Sequence, residues 1–249
     1  MYSAYIQRFL ERNDYINVIP RAALIDMDGT LYDSMPRHAR AWQQMMAEVG
    51  IDAPLDDFFR YEGRTGASTI DILFRRFFRR GATEQEKTDL YRRKTELFAA
   101  MPPVEPMPGA RDMLEFLKSI GVKRVLVTGS GQNTLLNRLD TDFPGAFTHD
   151  MRVTSRDVKH GKPHPEPFLM AMTKAAVAPD ECIVIENAPL GIEAGNASGA
   201  FTIGVSTGPL PLKELEDAGA DIVFPSMEEC AKALPILVYS LVTTSRNLN

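Results

Sequence analysis

Short apolar runs, each closed by a polar or glycine-bearing loop, recur along the chain. Ala22-Ala23-Leu24-Ile25 is followed by Asp26-Met27-Asp28-Gly29-Thr30 and reads as a buried strand ending in a loop. Val125-Leu126-Val127, Ile183-Val184-Ile185, Phe201-Thr202-Ile203-Gly204-Val205 and Ile222-Val223-Phe224 have the same form. Stretches with helical spacing separate most of them, at Gly109–Ile120, Asn133–Leu139 and Glu166–Val177. Strands alternating with helices predict an α/β protein with a Rossmann-like parallel sheet covered on both faces. Between Met35 and Met101 the alternation stops. Ile70, Leu73, Phe74, Phe77 and Phe78 form one helical stripe, and Trp42, Met45, Met46 and Val49 another. Thr83 and Glu86 make a capping box before a helix carrying Leu90, Tyr91, Leu97 and Phe98. The expected organisation is an N-terminal arm (residues 1–19), a catalytic core (20–34 and 104–249) and an all-helical insertion (35–103). Pro102 to Gly109, with four prolines, is the stiff return linker. In the arm, Tyr2, Tyr5, Ile6, Phe9 and Leu10 share one short face, which suits a docked or frayed segment.

Composition narrows the function classes. The 249 residues carry 28 Lys+Arg against 33 Asp+Glu, a net charge of −5, so neither nucleic acid nor an anionic membrane surface is an expected partner. The insertion holds 12 Lys+Arg and 10 Asp+Glu, leaving 16 against 23 for the rest of the chain. The two cysteines, Cys182 and Cys230, make no disulfide framework and suit a reducing compartment. The N-terminus lacks a signal-peptide pattern, and the longest apolar stretch, Leu234–Val242, falls far short of the about 20 residues a membrane span requires. A soluble, cytoplasmic, monomeric protein is expected.

The candidate chemistry lies at the strand ends. Two carboxylates two residues apart, Asp26 and Asp28, can converge on one metal and one electrophile where a strand ends and the chain bends; Gly29 permits that bend. A calcium-loop reading fails, because no Asp/Asn ladder and closing Glu follow. The run from Asp26 to Ser34 resembles the first motif of haloacid-dehalogenase-type phosphohydrolases. Three further matches come in the same order: Leu126-Val127-Thr128-Gly129-Ser130, then Gly161-Lys162-Pro163-His164-Pro165, then Val184-Ile185-Glu186-Asn187-Ala188. The helical insertion resembles the cap of the β-phosphoglucomutase-like branch.

The resemblance implies a Mg²⁺-dependent reaction on a small phosphorylated substrate. Asp26 is then the nucleophile that becomes an aspartyl phosphate, Asp28 the general acid/base, and Lys162 the neutralising cation. Thr128, Gly129 and Ser130 hold the phosphoryl group, His38 positions Asp28, and Asp26, Asp28, Glu186 and Asn187 surround the metal. Two departures bear on the substrate. Asn187 stands where most relatives have a second acid. In the cap loop Tyr61–Thr69, Gly66 matches the mutases' phosphate-gripping arginine, Arg64 is a nearby substitute, and Glu62 stands where a base is expected. Glu62 would then supply from the cap the metal-directed charge that Asn187 lacks. That pattern resembles pyrophosphatase members of the branch and points to inorganic pyrophosphate, with a β-phosphoglucomutase or sugar-phosphate phosphatase as the alternative. The arginines 75, 76, 79 and 80 read as the solvated face of their helix, and His160 and His164 lack the spacing of a zinc pair.

Overall fold

The structure, a computed structural model, describes residues 2–131 and 133–246, without the side chains of 133 and 134. The chain begins with helix α1 (Ser3–Asn13) and strand β1 (Ala22–Ile25). Helices α2 (Met35–Glu48), α3 (Leu55–Arg60), α4 (Gly66–Phe78) and α5 (Glu84–Ala99) then follow without an intervening strand. The alternating part resumes with α6 (Ala110–Ser119), β2 (Lys123–Val127), α7 (Asn133–Leu136), α8 (Leu139–Asp142), β3 (Arg152–Val153) and α9 (Glu166–Ala175). It ends with β4 (Cys182–Glu186), α10 (Pro189–Ala197), β5 (Phe201–Val205), α11 (Leu212–Asp217), β6 (Ile222–Phe224) and α12 (Met227–Thr243).

The six strands form one parallel sheet in the order β3-β2-β1-β4-β5-β6. This is the Rossmann-like α/β architecture the alternation predicts. The register sets Ile25 beside Leu126 on one side and Ile185 on the other, so the carboxyl ends of β2, β1 and β4 are level. The chain leaves β1 toward β2 and later returns to β4 on the opposite flank. That reversal opens the crevice in which sheets of this kind carry their site. All of β1, β4 and β5 is buried, as continuous apolar strands covered on both faces require. The sixth strand, β3, has two residues, too few for a period to show. The helix expected over Asn133–Leu139 is two short helices, α7 and α8.

The N-terminal arm is a docked helix. Ile6, Phe9 and Leu10 are fully buried, and the Phe9 ring meets Phe201 edge-on at 5.2 Å. Burial of each such side chain contributes about 1.5–3 kcal/mol. Arg12 pairs with buried Asp221 at 2.9 Å, and burial raises the Asp221 carboxyl to about 6. No helix among the described residues is long and apolar enough to cross a membrane.

The two passages between the sheet and helices α2–α5 run side by side. Asp33 N–H donates to Glu105 C=O at 3.0 Å and Met107 N–H to Leu31 C=O at 2.8 Å, around an antiparallel bridge between Tyr32 and Pro106. The arginines of α4 form surface ion pairs: Arg75 with Asp71, Arg76 with Asp57 and Arg80 with Glu86. Arg79 is the left-handed residue that ends the helix.

Candidate active site

At the carboxyl end of β1 the apolar run stops and Asp26 enters a crevice from which water is largely excluded; it is 4% exposed. Three residues on, Gly29 takes φ +80°, and a Cβ there would stand 2.1 Å from Asn187 Nδ2. Glycine is therefore required twice, for the backbone conformation and for the close approach of the β4 loop. The Lys162 ammonium, 2% exposed, donates to Asp26 Oδ1 at 2.5 Å, to Glu186 Oε1 at 2.6 Å and to the Val127 carbonyl at 3.0 Å. Burial alone would lower its pKa, but Asp26 and Glu186 reverse that and hold it protonated. The ends of three adjacent strands thus meet on one cation.

Asp28 is held differently. Ser34 Oγ donates to its Oδ1 at 2.7 Å, and His38 Nε2 lies 2.9 Å from the same oxygen. Behind His38, Lys94 Nζ is 2.6 Å from Nδ1. A lysine donates at that contact, so the ring accepts at Nδ1 and donates at Nε2. Phe98 stacks on the imidazole at 4.1 Å. Lys94 is 3% exposed, and burial lowers it from 10.5 to about 7, with Asp28 opposing. Burial and Lys94 lower His38. Burial would raise Asp28, but His38, Ser34 and Lys94 bring it below its ordinary value.

Asp26, Asp28, His38, Glu62, Arg64, Lys94, Thr128, Gly129 and Ser130 line one cavity of about 60 Å³ between the sheet and the helical insertion. Thr128 follows β2 directly and its hydroxyl accepts the Ser130 N–H at 3.0 Å. Gly129 lies under the loop after α3, where a Cβ would come within 2.6 Å of the Gly63 carbonyl. Arg64 reaches the cavity from that loop, and its Nε is buried without a hydrogen-bond partner among the described residues.

Glu62 is not a solvated helix-end acid. Its Oε1 accepts from Asn187 Nδ2 at 3.0 Å, while the Asn187 Oδ1 accepts from Thr30. The two departures from the usual pattern are therefore in contact. Burial, Asp26 and Glu186 raise the Glu62 carboxyl well above the usual range. Asp26 is raised too, chiefly by burial, which together with Glu186 and Asp28 outweighs the opposing Lys162.

So many carboxylates around one cation leave the crevice short of positive charge, and their hard oxygens suit Mg²⁺. No three His, Cys, Asp or Glu side chains among the described residues close a ready-made metal cage. Glu186 differs from its expected part: Oε2 accepts the Asn187 and Ala188 N–H groups and Oε1 accepts Lys162. A metal ion would have to compete for it, whereas Asp26, the Asp28 carbonyl, Asn187 and Glu62 offer less committed oxygens.

Lys94 is the site residue that sequence reasoning passed over. On α5, position 94 belongs to the apolar stripe of Leu90, Tyr91, Leu97 and Phe98, and a lysine there was a readable signal.

The sequence profile of haloacid dehalogenase-like hydrolases matches residues 20–199. The chain belongs to that family. It is 30% identical to hexitol phosphatase A of Escherichia coli K12 over 83% of this chain and 91% of that one. It is 29% identical to the β-phosphoglucomutase of Bacillus subtilis 168 over 82% and 88%. A solved structure from Bacteroides vulgatus, provisionally named a β-phosphoglucomutase, shares 45% identity, with a TM-score of 0.93 over 96% of this chain and 98% of that one. These relatives confirm the family and its β-phosphoglucomutase-like members. None of the three is named an inorganic pyrophosphatase, so the closeness to pyrophosphatases expected from Glu62 and Asn187 finds no support among them.

Proposed function

We propose that the protein is a phosphohydrolase of small phosphorylated carbohydrates that works through an aspartyl phosphate on Asp26. The observation that carries the reading is the pairing of Asp26 with the Lys162 ammonium at 2.5 Å, beside a second carboxylate, Asp28, held by Ser34 and His38. The substrate class rests on the hexitol phosphatase and β-phosphoglucomutase relatives.

An Asp26 carboxylate oxygen attacks phosphorus, and the bond to the leaving oxygen breaks as a proton that Asp28 has first taken up passes to that oxygen. A water then attacks the aspartyl phosphate, Asp28 takes the water's proton, and phosphate departs with Asp26 restored. Lys162 neutralises Asp26 and the transferring group, and Thr128, Ser130 and the loop N–H groups donate to the phosphoryl oxygens. Asp26, the Asp28 backbone carbonyl and Asn187, with Glu62 close by, would hold a Mg²⁺ ion, which would supply the remaining positive charge. His38 and Lys94 keep Asp28 oriented, and Arg64 offers the leaving group a guanidinium whose Nε has no partner among the described residues.

A second reading, inorganic pyrophosphate, is favoured by the Glu62–Asn187 contact and the small cavity. A carboxylate facing an anionic substrate is repulsive unless a cation lies between them, which suits a metal-chelating substrate.

The test is phosphate release with Mg²⁺ across hexitol phosphates, hexose phosphates and pyrophosphate, with Asp26→Asn as the blank. Product analysis of β-glucose 1-phosphate separates a mutase, which isomerises without releasing phosphate. Carbohydrate phosphates should show the highest kcat/KM. Dominant pyrophosphate turnover, abolished by Glu62→Gln, would replace the first reading by the second.

A further inference from the structure

Gly66 opens α4 with no side chain, and its backbone does not take a left-handed conformation. The reason for glycine lies across the cavity. A Cβ on Gly66 would meet the Tyr91 ring at 2.2 Å from Cδ2 and 2.3 Å from Cε2. Tyr91, on α5, thus occupies the room that any side chain at position 66 would need. The ring is held by Trp42, 6.2 Å away between centroids, and lines the same cavity as Asp26 and Asp28. Its other end crosses to the core. The Tyr91 hydroxyl accepts the Gly131 N–H at 3.4 Å, while Arg156 donates to the Gly131 carbonyl at 2.9 Å. Gly131 directly follows Thr128, Gly129 and Ser130. One side chain from the insertion therefore fills the space above α4 and touches the loop assigned to the phosphoryl group.

We propose that Tyr91 is a specificity-determining residue: its ring limits the size of the leaving group, and its hydroxyl fastens the insertion to the loop that holds the phosphoryl group. This rests on the phosphohydrolase reading above. The two halves of the side chain have separable duties. Removing the ring opens the cavity toward Gly66 and relaxes size selection. Removing only the hydroxyl keeps the filled volume and loosens the fastening.

The experiment compares kcat/KM for glycerol 1-phosphate and glucose 6-phosphate in the unmodified protein, Tyr91→Phe and Tyr91→Ala. Tyr91→Ala should shift the ratio toward the hexose ester by about tenfold or more. Tyr91→Phe should leave the ratio within about twofold while raising KM for both esters more than it lowers kcat. Hydrogen exchange provides a readout independent of turnover: the Gly131 amide should exchange faster in Tyr91→Phe at unchanged Tm. An unchanged ratio in folded Tyr91→Ala overturns the ring's duty, with Tyr91→Leu as the second variant if alanine does not fold. Unchanged Gly131 exchange overturns the hydroxyl's. Should the unmodified protein hydrolyse neither ester nor a hexitol phosphate, the carbohydrate-phosphate reading fails by itself. The size ratio is then read from calorimetric affinities of Asp26→Asn and Asp26→Asn/Tyr91→Ala, and an equal ratio, or no binding, in both overturns the proposal.

Discussion

Asp26 and Asp28 stand two residues apart at the end of one strand, both buried, yet their surroundings move them in opposite directions. Asp26 is raised by burial and neighbouring acids despite its lysine, whereas Asp28 is brought down by His38, Ser34 and Lys94 against its own burial. The partners explain the difference. Lys162 and Glu186 come from the sheet side of the molecule, and His38 and Lys94 from the helices inserted after β1. One carboxylate is tuned by the scaffold and the other by what covers it. A carboxyl brought down stays ionised and suits the base that takes a proton from water, whereas Asp26, raised, relies on neighbouring cations to be ionised for attack.

The largest way to break this comparison is to remove the scaffold-tuned acid. Asp26→Asn should lower Asp26-dependent phosphate release by at least about ten-thousandfold, as loss of a covalent nucleophile does, with Tm kept or raised; a steady-state phosphate assay and a melting curve check both. Asp28→Asn should cost about 10²–10⁴-fold in kcat, the range of general acid–base catalysis, and phosphoenzyme trapping should show whether formation or hydrolysis of the intermediate slows more.

Lys94 gives a stability effect of intermediate size. Its folded pKa of about 7 lies below its ordinary 10.5, so between those values the unfolded chain binds a proton that the folded chain does not. Stability therefore rises with pH across that window, by about 2–3 kcal/mol between pH 7.5 and 9.5. Urea unfolding at the two pH values should show this gain in the unmodified protein relative to Lys94→Met, which lacks the titrating group. The smallest effect is expected from His38→Asn. A loss of about tenfold in kcat should come with an acid limb of the rate profile displaced to higher pH, because His38 is the foremost group lowering Asp28. An undisplaced limb would mean that the insertion does not tune Asp28.

The residues at strand ends were legible because local pattern and chemistry coincide there. Asp26, Thr128 and Glu186 each follow an apolar run, and the strand register alone brings them level. His38 and Glu62 were legible as to residue, with their contacts supplied by the fold. Lys94 was harder to read, because it follows Arg92 and Arg93, both surface ion-pair formers, so the run resembles a solvated face. Which residues of such a run turn inward depends on α2, against which α5 packs. The α1 helix is a similar case. Ile6, Phe9 and Leu10 announced an apolar face, but its seat on Phe201 exists only once β5 has joined the sheet. Substrate choice was the least legible feature, because Glu62 and Asn187 could be read as one metal-directed pair long before the carbohydrate-phosphate relatives came into view.

The paired passages at Asp33–Glu105 and Leu31–Met107 have a kinematic consequence. Two passages laced to each other by backbone hydrogen bonds are coupled, so a movement of the helices they carry would have to involve both together. His38, Glu62, Tyr91 and Lys94 all ride on that single arm. Any such movement would carry all four together. An observer following the fluorescence of Trp42 and another following the amide of Gly131 should record the same relaxation time.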